Sequence, residues 1–380
     1  MQTSWWRERK ELDDAQQALV MLPPDGNHLF VGPPGCGKTN MLVLRAKYLS
    51  GSGDSNILFL TYGRTLAEFI KTGVASSKQH IEPEQVMTFR MWSIMTLAEL
   101  APAAMSAKPG GEYDEVRNWF ATELESATRG LPGDYYDAIF VDEVQDLKSE
   151  ELRILARLTP RLNVAGDGRQ TIYEGNGLDA AKELGLQRSL LEYHYRIGPA
   201  ICRVADRVLA DDGAKPLTQT CRYDDKKTKS SAEAVSCDSF DAQLQEMVEN
   251  IRLQRKAFQD DSIGIFLPTF KGGLLARLQE YLNATELAPL VGYHTEDEKE
   301  FEDGKRIFVM TCHASKGTEF RAVHILAGEK LRWPLGRRRL VFTAVTRAKT
   351  SLRLYYTGTL TAFVKAAFAK PTAVDLDSLF

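Results

Sequence analysis

Long apolar runs are missing from this sequence. No stretch reaches the ~18 uninterrupted apolar residues of a membrane-spanning helix. The opening residues, MQTSWWRERKELDD, lack the apolar run of a secretory leader. Cysteine is scarce and odd in number, five in all, with no C-x-x-C spacing. That argues against a disulfide framework and fits reduced thiols in a cytoplasmic protein. The six histidines form no ligand spacing, so no metal cluster is expected. A strong excess of one charge is also absent. The net charge is −3, so the chain as a whole is no polybasic nucleic-acid binder, although a local basic groove remains compatible with it. No repeat of solenoid type is found. What remains is ordinary for a globular protein, 43% hydrophobic and 26% charged. A length of 380 residues fits two domains of about 150–200 residues.

The most informative stretch is FVGPPGCGKTN, Phe30 to Asn40. Gly32, then four residues, then Gly37-Lys38-Thr39 is a phosphate-binding loop. The apolar run before it reads as a buried strand, and NMLVLRAKYL after it as a helix. Gly32, Gly35 and Gly37 let backbone N–H groups turn inward around phosphate oxygens at a helix N-terminus. Lys38 is expected to reach the β- and γ-phosphates, and the Thr39 hydroxyl to ligate Mg²⁺. ATP and Mg²⁺ are the expected cofactors.

Further apolar runs end in polar or glycine-rich turns: NILFLTYG, QVMTF, DAIFVDE and RLNVAGD. Helical patterns lie between them, for example TLAEFIKTGV and SEELRILARL. Alternation of strand and helix predicts an α/β fold with a parallel sheet covered on both faces. The second half restarts the pattern with SIGIFLPT, GGLLARLQEYL, RIFVMTCH, RAVHILAG and SLRLYYTG. Two α/β lobes are expected, residues 1–189 and 190–380, meeting near Gln187–Leu190. Asp211 to Glu233 and the acidic Thr295 to Gly304 read as exposed loops.

Several other residues carry chemistry. IFVDEVQD places Asp142 and Glu143 at the end of an apolar strand, where a Mg²⁺-binding Asp belongs beside a phosphate loop. The adjacent Glu143 is placed to polarise an attacking water, which points to hydrolysis. NVAGDGRQTIY repeats the layout and puts Gln170 at a strand tip, suited to sensing a γ-phosphate. LEYHYR and AVTRAK offer Arg196 and Arg347 as groups that neutralise charge on a transferred phosphoryl. A surface salt bridge is the plainer alternative for each arginine.

Taken in order, these motifs resemble the UvrD/Rep/PcrA group of superfamily 1 helicases over nearly the whole chain. LDDAQQALV resembles the Q motif, which makes Gln16 the adenine reader. GPPGCGKT resembles motif I, and Arg45 matches an arginine that packs near the base. LTYGRTLAEF and TFRMW resemble motifs Ia and Ib, so Tyr62, Thr88 and Phe89 are expected near the nucleic-acid strand, with Trp92 a further aromatic there. VDEVQD is the DExQD box. AGDGRQTIY resembles motif III. LEYHYR resembles motif IV, with Tyr195 stacking on adenine and Arg196 as an arginine finger. TCHASKGTEF resembles motif V, with Thr311 and His313 near nucleic acid and Gly317 and Glu319 near the nucleotide. RRLVFTAVTRAK resembles motif VI, with Arg347 as the second finger. The resemblance implies two RecA-like P-loop NTPase lobes with ATP in the interlobe cleft, and single-stranded DNA moved 3′ to 5′.

The sequence departs from that family in three places. Only Trp92 to Tyr136 separates motifs Ib and II, and little beyond the core strands and the two loops separates motifs IV and V, so the large accessory insertions of both lobes are absent or vestigial. Motif III usually continues to an aromatic residue that stacks on a base and then an Arg; here those positions are Gly175 and Asn176. The acidic segment from Thr295 lies where the second-lobe insertion would begin. Two readings stay open: a minimal ATP-dependent translocase or helicase on single-stranded nucleic acid, DNA over RNA, or a nucleotide-driven switch subunit that controls a protein partner such as a nuclease. Compact chains of the second kind resemble parts of bacterial DNA-processing and antiviral defence complexes, by analogy alone.

Overall fold

A computed structural model of the chain describes residues 6–75, 81–173, 175–210, 213–295 and 304–370. Most of the acidic segment, residues 296–303, lies outside the described residues, as do residues 211–212 of the other expected loop. By packing the chain falls into two compact units. One comprises Met1–Arg196, Gly292–Lys305 and His313–Glu319; the other comprises Ile197–Val291, Arg306–Cys312 and Phe320–Phe380.

The first sheet is built from β1 (His28–Val31), β2 (Ile57–Thr61), β3 (Val86–Thr88), β4 (Ala138–Val141), β5 (Leu162–Gly166) and β6 (Gln187–Leu190). Its order is β3-β2-β4-β5-β1-β6, and every pairing is parallel. The central strands read ILFLT, AIFV and LNVAG and are buried along their whole length. This is the signature of a parallel sheet covered on both faces. The edge strand β6, QRSL, is mostly exposed and polar, as an edge must be to avoid pairing with other chains. Gln187–Leu190, expected at the junction of two lobes, is therefore a strand paired with β1. Helix Ser149–Arg157 buries Leu152, Ile154 and Leu155 in the same core as Phe89, Trp92 and Phe120.

The second sheet follows with β7 (Ser231–Ser236), β8 (Ile263–Leu267), β9 (Val291–Tyr293), β10 (Ile307–Thr311), β11 (Phe320–Ile325) and β12 (Ala348–Tyr356). Its order is β7-β12-β11-β8-β10-β9, parallel in each pairing from β7 to β10. The segment read as a loop from Asp211 is more ordered than expected. It holds a short helix, Leu217–Thr220, with Leu217 and Thr220 buried, and it runs into β7. The Asp206 carboxylate caps that helix by accepting from Leu217 and Thr218 N–H. The fold thus has two α/β units, each with one RecA-like sheet. No helix among the described residues is long and apolar enough to cross a membrane.

Candidate functional site

In the first unit, β1, β5 and β4 lie side by side, and their C-terminal ends carry the chemistry. Ligands of open parallel sheets bind at that end. β1 runs into the phosphate loop. Gly35 and Gly37 have φ of 76° and 90°, a left-handed backbone that glycine adopts without strain. Gly32 is required for a different reason: a Cβ there would lie 2.8 Å from both Cys36 Sγ and Leu191 Cβ. Helix Lys38–Gly51 begins at the loop, and the buried Lys38 Nζ donates to Gly32 O (2.9 Å) and Pro33 O (3.1 Å). Burial works to lower the pKa of that ammonium. Cys36, Asp167, Glu143 and Asp142 outweigh it, and the net shift is upward.

Thr39 Oγ1 donates to Asp142 Oδ2 at 2.6 Å, which joins the loop to the end of β4. Asp142 is fully enclosed, and burial followed by the adjacent Glu143 pushes its pKa well up. Glu143 has φ of 56°, one of two non-glycine residues among those described with a left-handed backbone. Such strain of order 1–3 kcal/mol is typically retained at functional positions. The pair offers hard oxygen donors beside a lysine, a donor set suited to Mg²⁺ and phosphate.

A buried polar network extends from this pair. Gln145 Nε2 donates to Glu143 Oε2, and Gln145 Oε1 accepts from Asp167 N (3.1 Å). Gln170 Nε2 donates to Asp167 Oδ2 (3.1 Å). Lys316 then closes the network. Its Nζ donates to Asp146 Oδ2 (2.5 Å) and Gln170 O (2.7 Å) and lies 3.6 Å from Glu143 Oε2. Burial raises the Asp146 pKa to about 6, against the opposing pull of Lys316. Lys316 and Asp146 were not singled out in the sequence. Both stand inside quoted motifs, SKG and DEVQD, and a lysine buried at 7% exposure next to acidic motifs is a pairing that only the fold reveals.

A second pocket sits against the loop, lined by Arg7, Gln16, Gly37, Tyr195 and Arg196 among others. Gln16 caps its own helix in a reciprocal box with Asp13, and its Nε2 donates to Cys36 O (2.8 Å). Tyr195 N donates to Gly35 O (3.4 Å). Arg196 pairs with Glu319 at 2.5 Å. Gly317 has φ of 82° and packs against Leu66. Arg7, which no sequence motif marks, is held through its backbone by Asn40. Arg45 does not line this pocket. Its guanidinium is buried and donates to Asn163 Oδ1 (2.6 Å), Leu22 O (2.9 Å) and Pro23 O (2.8 Å), so it clamps the segment before β1 to β5.

The residues expected near a strand are placed variously. Tyr62 is half-buried; it stacks obliquely on Tyr173 at 4.6 Å, hydrogen-bonds the Tyr113 hydroxyl and has the Arg117 guanidinium 5.1 Å from its ring centre. It borders a cleft of about 50 Å³ with Phe89, Arg90 and Tyr113. Thr88 caps helix Phe89–Leu100 by accepting from Met91 N (3.1 Å). Phe89 and Trp92 are core residues, 5% and 3% exposed. Gly175 leaves no gap. A Cβ there would lie 2.3 Å from Gln145 O, so the turn packs directly on the acidic motif. In the second unit Thr311 ends β10, and Arg347 is buried, its Nε donating to Thr343 O (2.9 Å).

A glycine loop of the phosphate-binding pattern, an acidic strand end and a pocket lined by Arg7 and Arg196 thus gather on the first RecA-like sheet. The family model for an AAA domain matches residues 15–176, and that for a UvrD-like helicase C-terminal domain matches residues 306–355. These two matches, in order along the chain, support a UvrD-like superfamily 1 helicase. No curated protein matches it. Among solved structures it is similar to the PRRSV helicase, with 14% identity, TM-score 0.41, and coverage of 90% of this chain and 54% of that one. It is also similar to the C-terminal domain of a possible DNA helicase from Lactobacillus plantarum WCFS1, with 18% identity, TM-score 0.34, and coverage of 45% of this chain and 91% of that one. The chain thus spans about half the length of the PRRSV helicase.

Proposed function

We propose that this chain is an ATP-driven motor that moves 3′ to 5′ along single-stranded nucleic acid, DNA in preference to RNA. The observation that carries the reading is Lys316. A residue of motif V, five positions after Thr311, is bonded to the DExQD box and to the backbone of Gln170. Strand contacts at Thr311 and His313 would therefore be felt at the hydrolytic residues through one buried lysine.

The residues present fit Mg²⁺-ATP. Lys38 and the loop N–H groups would hold the β- and γ-phosphates. Thr39 and Asp142, whose oxygens already meet at 2.6 Å, would hold Mg²⁺. The bound ion supplies charge neutralisation for the phosphates. Glu143 orients the attacking water and takes its proton, and Gln170 senses the γ-phosphate. Arg196 and Arg347 neutralise charge on the transferred phosphoryl, a role worth on the order of 10³–10⁵ in rate. Gln16 and Tyr195 flank the base and Glu319 the ribose. The pocket that Gln16 and Tyr195 line is only about 10 Å³, so base entry requires side-chain rotation there.

A second reading, a nucleotide-driven switch that controls a nuclease or defence partner, is favoured by Gly175. The tight packing of that turn excludes the aromatic residue that helps related chains hold a strand. ATP hydrolysis by the purified chain with single-stranded DNA, duplex DNA, RNA or no nucleic acid separates the two. The motor reading expects several-fold stimulation by single strands alone. Rates that stay flat until a protein partner is added would replace it with the switch.

A further inference from the structure

The strongest feature outside the nucleotide site is a turn of the second unit, GEKLRWPLGRRR, Gly328 to Arg339. It holds five cations, Lys330, Arg332, Arg337, Arg338 and Arg339, against one carboxylate, Glu329, in a chain of net charge −3. That carboxylate is engaged elsewhere, accepting from Thr357 N at 3.0 Å. Among the described residues no ion pair compensates any of the five cations. In their midst stands Trp333, 81% exposed, with the Arg337 guanidinium 5.9 Å from its ring centre.

The turn has a fixed shape. Gly336 N donates to Arg332 O (2.7 Å), and Arg332 Nε donates to Glu329 O (3.0 Å). A Cβ on Gly336 would lie 2.3 Å from Leu331 O, so the two limbs are in close contact. Arg338 anchors the far end by donating to Val208 O (2.8 Å) and lying over Phe363. An indole held in water costs free energy unless something covers it.

We propose that this turn is a single-strand binding site. The Arg332 and Arg337 guanidiniums grip backbone phosphates, and Trp333 stacks on one base. Guanidinium forks match phosphate oxygens bidentately, and an exposed aromatic face among cations takes any base without reading sequence. The site also supplies a grip that the packed Gly175 turn cannot, and it deepens the motor reading, on which it rests. An acidic protein segment would satisfy the charges but not the flat indole face.

The test is a salt titration of oligothymidylate affinity for wild type, Trp333→Ala and Arg332→Ala/Arg337→Ala, each checked for an unchanged unfolding midpoint. Loss of base stacking should weaken Trp333→Ala by roughly 5- to 150-fold with its salt slope retained. Loss of two phosphate contacts should flatten the slope of log affinity against log salt in the double variant by about 1.4. Variants equal to wild type in affinity and slope overturn this site and leave the motor reading standing. A wild type that binds no strand sinks both. Binding of polyglutamate as tight as that of the oligonucleotide, with Trp333→Ala indifferent to either, assigns the turn to an acidic protein and overturns the proposal.

Discussion

Lys316 is the residue on which most of the buried charge depends. Its ammonium faces Asp146, which is fully buried, and Glu143, which is nearly so. Removing one partner of such a cluster leaves charges that neither water nor protein satisfies, at a cost of about 3–5 kcal/mol. Lys316→Ala should therefore lose roughly that much in a urea titration, and adding Asp146→Asn should restore part of it. The pH dependence has a definite sign. The folded Asp146 pKa, about 6, lies above its ordinary value of 3.8. Its contribution to stability is thus most favourable below about pH 4 and declines as pH rises through 6. Without the Lys316 ammonium the carboxyl shifts further up, so the deficit of Lys316→Ala should shrink in acid. A deficit unchanged between pH 4 and 8 would show that the loss comes from packing.

At the scale of elements, strand order does what linear spacing hides. β1, β5 and β4 are far apart in the chain but consecutive in the sheet, so the loop at Lys38, the tip at Asp167 and the carboxylate of Asp142 converge. The apolar runs and the loop motif made those strands legible in the sequence, because fully buried strands need continuous apolar residues. The role of Arg45 was not legible. Its motif spacing suggests a neighbour of the base, while its donors go to carbonyls of the segment before β1, a contact between elements that no local pattern encodes. Thr88, expected near a strand from its motif, has its hydroxyl engaged in capping helix Phe89–Leu100, a role the motif does not announce. Gly175 reads as a missing side chain, whereas the structure makes it a point of backbone contact. Gly175→Ala should consequently destabilise by about 1–3 kcal/mol or more through overpacking. Gly63→Ala, where a Cβ meets nothing within 4 Å, should be close to neutral by the same denaturant titration. Equal midpoints for the two would contradict the packing described for the turn.

For the whole molecule, the sequence made the two-unit α/β plan and the family visible because the motifs occur in order along the chain. It did not reveal that His313–Glu319 packs with the first unit, since that segment follows β10 of the second sheet directly. The proposed motor action requires two nucleotide-dependent states that hold a strand differently, and it presupposes the hydrolysis proposed at the Asp142–Glu143 pair. The most direct measurement is Mg²⁺-ATP affinity and single-turnover hydrolysis in wild type and Glu143→Gln. The account predicts that the variant binds ATP nearly as well, because Lys38, Thr39 and Asp142 are intact, and that its hydrolysis step falls by at least about 10²-fold, the usual scale of general-base catalysis. Hydrolysis at the wild-type rate in Glu143→Gln would contradict it.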